Sequence, residues 1–383
     1  MTTIPKTMQA AILTELRAPL VITEITLPPI LAVGQVLVKV HYSGICGSQL
    51  GEIDGAKGED KFLPHLLGHE GSGTVLAIGP GVRHVKPDDK VVLHWRKSQG
   101  IESETPSYSW EGRKVNAGWI ATFNEYAIVS ENRVTKIPAD SDLAVAALFG
   151  CAVTTGFGVI ENNAKVRIGE SVVVFGAGGI GLNIVQAAAL VSAYPIIAVD
   201  LHDNKLELAK AMGATHLINS SKQDAQKAIA DIIGTSGLDV FVDNTGVPAI
   251  IEMGYQLIKP QGRVTLVGVP RKGNNINIYS LPLHFGKGLS GSHGGDTIPH
   301  QDIPRYQQLF NTGRIKLREL ITDFCSLDNL NEAIANIRSG KIGGRCIIRM
   351  SEGSHSLCSK EILRCAQDDR DFAQDDKIKL ALY

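Results

Sequence analysis

Two short glycine-flanked clusters carry ligand-type side chains. Gly44-Ile45-Cys46-Gly47-Ser48 offers a thiol and a hydroxyl, and Gly68-His69-Glu70-Gly71-Ser72-Gly73 offers an imidazole and a carboxylate. A third stretch, Phe149 to Gly156, contains Cys151. Two thiolates and one imidazole leave a fourth tetrahedral position open, the donor set of a zinc that performs chemistry rather than one that only braces a fold. Spacing does not establish such a site, because His69 and Cys151 lie 23 and 105 positions beyond Cys46 and match no local metal pattern. The same residue types also suit two buried thiols and a hydrogen-bonded core histidine.

A second chemistry is written in adjacent residues. From Ser171 to Val199 no residue is charged, yet the span holds Gly176-Ala177-Gly178-Gly179-Ile180-Gly181 and is followed at once by Asp200. Ser171 to Phe175 reads as a strand buried on both faces, and the glycines let the backbone turn tightly and approach a pyrophosphate. Ile180, Ile184, Ala187, Ala188 and Val191 recur at helical spacing, so the turn opens a helix whose N-terminal N–H groups favour an anion. A second strand, Pro195 to Val199, ends on Asp200, 19 positions after Gly181. A carboxylate there accepts the hydroxyls of an adenosine ribose and repels a 2′-phosphate, which predicts NAD rather than NADP.

These groups need elements to hold them. From Glu170 to about Gly268 short apolar strands alternate with helices, which predicts a doubly wound parallel sheet with right-handed crossovers. The first 150 residues show alternating segments such as Val36–His41, Gly73–Ile78 and Lys90–Leu93 between Pro- and Gly-containing turns, the pattern of a mainly antiparallel β domain. Residues 289–350 return to mixed helices and a closing strand, Cys346–Ile348, that completes that first domain. At 383 residues two domains are expected. A net charge of −1, from 38 basic and 39 acidic residues, gives no reason to expect nucleic acid or an anionic membrane as partner. Four glycines, Asn183, Gln186 and Pro195 argue against a membrane span in the uncharged stretch. The first seven residues lack the apolar core of a secretion signal, so a cytoplasmic protein is expected. Six scattered cysteines read as reduced thiols. The segment 351–383 repeats Ala-Gln-Asp-Asp twice with little apolar periodicity and reads as a disordered or irregular extension.

From about Met8 to Met350 the chain resembles the zinc-dependent medium-chain dehydrogenase/reductase family of the alcohol dehydrogenase type. The Cys46 and His69–Glu70 clusters, a cysteine shortly before the coenzyme domain, Gly176 to Gly181 and Ala198-Val199-Asp200 occur in the family's order. The resemblance implies a GroES-like catalytic domain of residues 1–152 and 294–350 around a Rossmann domain of residues 153–293. It implies Cys46, His69 and Cys151 as catalytic zinc ligands, Glu70 as a carboxylate beside the metal or a temporary ligand, and Ser48 as the hydroxyl that passes the alcohol proton outward. Asp200 and Lys205 match adenosine-ribose contacts, Arg345 a pyrophosphate contact, and Gly246 and Val269 the nicotinamide side of the crevice. The implied activity is hydride transfer between an alcohol or carbonyl substrate and NAD(H), with dimers or tetramers formed through the coenzyme domains. Trp95 and His293 are expected in the substrate pocket wall.

The chain also departs from the family pattern. Many relatives carry four closely spaced cysteines for a structural zinc, but Arg96 to Gly118 contains none, which predicts one catalytic zinc and no structural one. The segment instead holds Arg96, Lys97, Tyr108, Trp110, Arg113 and Lys114, read either as shaping the entrance for a polar substrate or as a solvated loop. Gly51 stands where a relay histidine ends the proton path in well-known members, Gln49 replaces an acid that orients the ligand histidine, and Gly47 lacks a phosphate-gripping cation. A metal-free quinone-reductase-like oxidoreductase and a non-catalytic NAD(H)-binding protein are the competing readings.

Overall fold

The computed structural model describes residues 4–350. The irregular extension expected for 351–383 lies outside the described residues. Six parallel strands form the nucleotide-type sheet in the order His216–Asn219, Ile196–Asp200, Val172–Phe175, Leu238–Asp243, Ile258–Leu266, Gly288–Gly291. Val172 to Val174 and Ile197 to Val199 are fully buried, as strands covered on both faces must be. Helices Gly179–Leu190, Asp203–Ala211, Ala225–Ile233 and Pro248–Leu257 link successive strands. The second of these stops at Met212, with Gly213 at φ +112° supplying the left-handed residue that ends it. The strand expected from Gly262 begins earlier, at Ile258. Strand order reverses beside Val172–Phe175, and a crevice for a ligand opens there beyond the strands' carboxyl ends.

The remaining strands form two further sheets. One runs Val134–Lys136, Lys90–His94, Glu70–Ile78, Gln35–Gly44, Arg345–Arg349, Ile321–Cys325, with Tyr126–Ser130 also paired to Gln35–Gly44. The closing strand therefore returns to the N-terminal sheet, as its sequence suggested. The other is a closed barrel of Thr7–Leu13, Val21–Thr26, Ser107–Trp110, Arg113–Asn116 and His65–Leu66. This corrects the reading of Tyr108 and Trp110 as entrance residues. Tyr108 is buried in the barrel core and its hydroxyl accepts the Ile128 N–H at 3.0 Å, while Trp110 packs against that core beneath the Arg113 guanidinium. Alternation over a short hairpin, with one face apolar, is what places them inside. Helix Pro299–Asn311 packs Ile303 and Tyr306 onto the same core as Val172 and Leu182. Among the described residues no single helix is long and apolar enough to cross a membrane.

His94, at the end of its strand, fixes the backbone that leads to Trp95. Its Nδ1–H donates to the Arg96 carbonyl at 2.7 Å, and its Nε2 accepts the Thr135 hydroxyl at 2.9 Å. Burial holds its pKa down to about 4. Below pH 6.5 the unfolded chain takes up a proton that the folded chain refuses. Stability present above that pH is therefore lost by up to about 3 kcal/mol as pH falls toward 4. Urea midpoints measured between pH 7 and 4.5 should show a shallower fall in His94→Gln; an unchanged fall would mean the imidazole is not held neutral.

Candidate metal and nucleotide site

Strand register brings distant residues to one end of the second sheet. Ser43 pairs with Gly71, Glu70 with His94, and Ile347 with Gly44, so Cys46, His69, Trp95 and Arg345 all emerge at the same end of the sheet. Cys151 arrives from the turn between helices Leu143–Ala147 and Ala152–Gly158. Its neighbour Gly150 lies so close to the sheet that a Cβ would stand 2.3 Å from the Leu93 carbonyl oxygen and 2.7 Å from the Glu70 Cα. The two thiols and one His69 nitrogen then lie within 4.8 Å of one another, the only such ligand cluster among the described residues.

The donor set fits a zinc ion. His69 Nε2 is buried with no hydrogen-bond partner, while its Nδ1 lies against the Gln49 side-chain amide. The Cys46 thiol is held far below its usual pKa by the adjacent Cys151 thiol, while Cys151 is pushed up by Cys46 and by burial. Two buried thiols that share a proton in this way both ionise only when a cation lies between them. Gln49 also accepts the Cys46 N–H at 3.0 Å, so one amide braces two of the three donors. Ser48 Oγ is buried without a partner. Glu70, fully buried, is not part of the cluster: its carboxylate pairs with Arg345 and accepts the Ala152 N–H at 3.2 Å.

Beyond the donors, the Trp95 ring meets His69 edge-on at 6.5 Å and His293 at 5.0 Å. The two residues expected in the pocket wall thus stand together beside the cluster. Arg96 contacts His293 and lies 3.9 Å from Asp296, and its Nε is buried without a partner. Two positioning residues escaped the sequence reading. Arg133 donates to the Trp95 carbonyl and to Glu102, and its 38-residue separation from Trp95 leaves no local signal. Thr155 sits 3.9 Å from Cys151 Sγ, a helical i+4 spacing that does mark it.

At the glycine turn, Gly176 has φ +97°, and a Cβ on Gly181 would stand 2.0 Å from the Gly176 carbonyl oxygen, so helix and strand approach only with glycine there. A Cβ on Gly178 would meet nothing within 4 Å, which leaves open space above the helix N-terminus that Gly179 and Ile180 begin. Asp200 accepts the N–H groups of Ala177, Leu201 and His202, with Lys205 Nζ 3.9 Å away. Gly246, at φ +71°, lies directly against the backbone of the half-exposed Val269. The Arg345 side chain covers Gly179, and its Nε is buried without a partner.

Comparison with known proteins agrees with this architecture. Residues 32–139 match the alcohol dehydrogenase GroES-like domain and residues 179–312 the zinc-binding dehydrogenase domain. The chain is 31% identical to an alcohol dehydrogenase class-3 of Cereibacter sphaeroides over 87% of its own length and 97% of that protein. It is 32% identical to an S-(hydroxymethyl)glutathione dehydrogenase of Haemophilus influenzae over 80% and 88%. The crystal structure of benzyl alcohol dehydrogenase from Acinetobacter calcoaceticus superimposes with a TM-score of 0.81 at 30% identity, covering 91% of this chain and all of that one. The chain belongs to the zinc-dependent medium-chain dehydrogenase/reductase family. It is a zinc- and NAD-linked oxidoreductase of the alcohol dehydrogenase type, with a GroES-like domain and a Rossmann domain.

The buried Glu70–Arg345 pair makes a stability prediction. Glu70→Ala leaves the guanidinium buried and uncompensated and should cost about 3–5 kcal/mol in urea unfolding, whereas Glu70→Leu combined with Arg345→Met should recover most of it. Additive losses in the double variant would show that the two charges are not coupled.

Proposed function

We propose that the protein oxidises a polar alcohol with NAD, or reduces the matching carbonyl with NADH, at a single zinc held by Cys46, His69 and Cys151. The observation that carries this reading is the convergence of those three donors beside Trp95 and His293. Bound there, zinc supplies a Lewis acid for the substrate oxygen and NAD the hydride acceptor. The unpartnered Ser48 hydroxyl takes the alcohol proton. With Gly51 in place of a relay histidine, that proton leaves through water or another group. Trp95 and His293 form a wall that orients the reacting carbon. Gly176 to Gly181 cradle the pyrophosphate with Arg345 above it, Asp200 and Lys205 hold the ribose, and Gly246 and Val269 border the nicotinamide.

Polar rather than aliphatic substrates are favoured by Arg96, a cation in contact with the pocket residue His293 and with an unpaired Nε. The names of the relatives span S-(hydroxymethyl)glutathione and benzyl alcohol, and the Arg96 chemistry favours the more polar kind. A metal-free reading would leave His69 Nε2 and the thiol pair buried without a purpose. The open edge of the nucleotide sheet at Gly288–Gly291, flanked by exposed Tyr279, Leu281 and Phe285, supports homodimers or homotetramers. Six scattered cysteines with no disulfide framework in their spacing support a reducing, cytoplasmic compartment.

Purified protein should contain about one zinc per chain by elemental analysis. Cys46→Ser should lose that zinc and alcohol-dependent NADH formation while still binding NADH; activity surviving zinc loss would overturn the reading. Asp200→Gly should narrow the preference for NAD over NADP by a factor of about ten or more, read from kcat/KM with each coenzyme.

A further inference from the structure

Cys325 and Cys346 stand on neighbouring parallel strands with their sulfurs 3.8 Å apart, outside the metal cluster. We propose that they form a reversible dithiol/disulfide pair whose oxidation weakens nucleotide binding. Cys346 is buried, but Cys325 is partly exposed on Ile321–Cys325, the outermost strand of its sheet. That strand pairs with Arg345–Arg349 alone, so a shift of it breaks no second strand pairing. Closing the sulfurs to about 2.05 Å requires such a movement. The neighbouring Cys346 thiol holds the Cys325 pKa below its ordinary value, which favours Cys325 as the attacking group.

The oxidant is a low-molecular-weight disulfide. Cys325 thiolate attacks one of its sulfurs and expels a small thiolate. Cys346 loses its proton to solvent and attacks Cys325 sulfur, expelling the second. Two protein thiols are thus oxidised by two electrons, and the small disulfide becomes two thiols that take up the two protons. The consequence for the nucleotide follows from what flanks Cys346. Arg345 covers Gly179 and pairs with Glu70, and the Cys346 carbonyl accepts the Ile45 N–H at 3.1 Å, one residue before Cys46. Tying Cys346 to an edge strand that must shift to reach it strains the backbone at the adjoining Arg345 and loosens the guanidinium's cover of the glycine turn.

The test uses the full-length, zinc-loaded protein incubated with excess oxidised glutathione, alkylated and digested, with zinc release followed by a chromogenic chelator. A linked Cys325–Cys346 peptide is expected. So is a loss of NADH affinity by roughly fivefold or more in a fluorescence titration, reversed by dithiothreitol and missing in Cys325→Ser. Both thiols found alkylated after oxidation, or a linked peptide with unchanged NADH affinity, would overturn the proposal. So would an affinity loss that tracks zinc release. Because the readout is NADH binding, the proposal can fail while the alcohol-oxidising reading stands.

Discussion

Two thiols buried against each other beside an imidazole with an unpaired nitrogen make an arrangement that a protein interior tolerates poorly. Each thiolate raises the cost of the other, and the shared proton leaves one sulfur acidic and its partner resistant to ionisation. A divalent cation reverses the sign of the interaction, turning mutual repulsion into joint ligation. Much of the surrounding structure serves to keep the three donors together in spite of that repulsion. Gln49 ties Cys46 to His69, Thr155 approaches Cys151, and Gly150 lets the helix that follows Cys151 settle onto the sheet.

The metal-ligand end of the sheet and the glycine turn belong to different layers, and a single residue joins them. Arg345 starts the strand that returns to the N-terminal sheet, pairs with Glu70 next to His69, and lies over Gly179 at the helix N-terminus. A buried arginine with one carboxylate partner and an unpaired Nε retains capacity for a second anion, and the pyrophosphate position predicted by the turn lies where that capacity points. Glu70 is then better understood through Arg345 than through the metal. Its carboxylate neutralises the guanidinium and receives the Ala152 N–H, which fixes the helix that carries Cys151 into place. This pair links the thiol–imidazole cluster to the glycine turn.

What the sequence disclosed depended on the range of the signal. Ser171 to Asp200 can be read directly, because strand, turn, helix and acid follow one another within 30 residues and each obeys local geometry. The alternation of βα units likewise disclosed the parallel sheet. Cys46, His69 and Cys151 cannot be assembled from spacing, since strand register brings 46 and 69 to one end of the sheet and a helical turn brings 151 there, and the family resemblance alone supplies the grouping. The hairpin Ser107–Trp110 and Arg113–Asn116 was misread because its charged and aromatic residues mask a period-two pattern. Tyr108 and Val115 point inward, while Arg113 and Lys114 face solvent. Arg133 was invisible for a different reason: its role lies in a bond to a main-chain carbonyl, which leaves no trace in residue type.

The substitution at position 49 bears on the chemistry as well as the geometry. An acid in that place would add a negative charge near two thiolates, and inside a protein such a charge is felt over several ångströms. Gln49 bridges Cys46 and His69 through its amide, its oxygen accepting the Cys46 N–H and its nitrogen lying against His69 Nδ1, and it adds no charge. Glu70 carries the other nearby carboxylate, and Arg345 cancels it. Counting two thiolates against a divalent ion, the immediate surroundings come out close to neutral, so a substrate oxygen acquiring negative charge meets little opposing field. A neutral amide at this position would leave an ion bound there a stronger Lewis acid than a carboxylate would, at the cost of a weaker electrostatic hold on it. The thiols must supply that hold themselves, which is why burial of both sulfurs matters to the site as much as their spacing does.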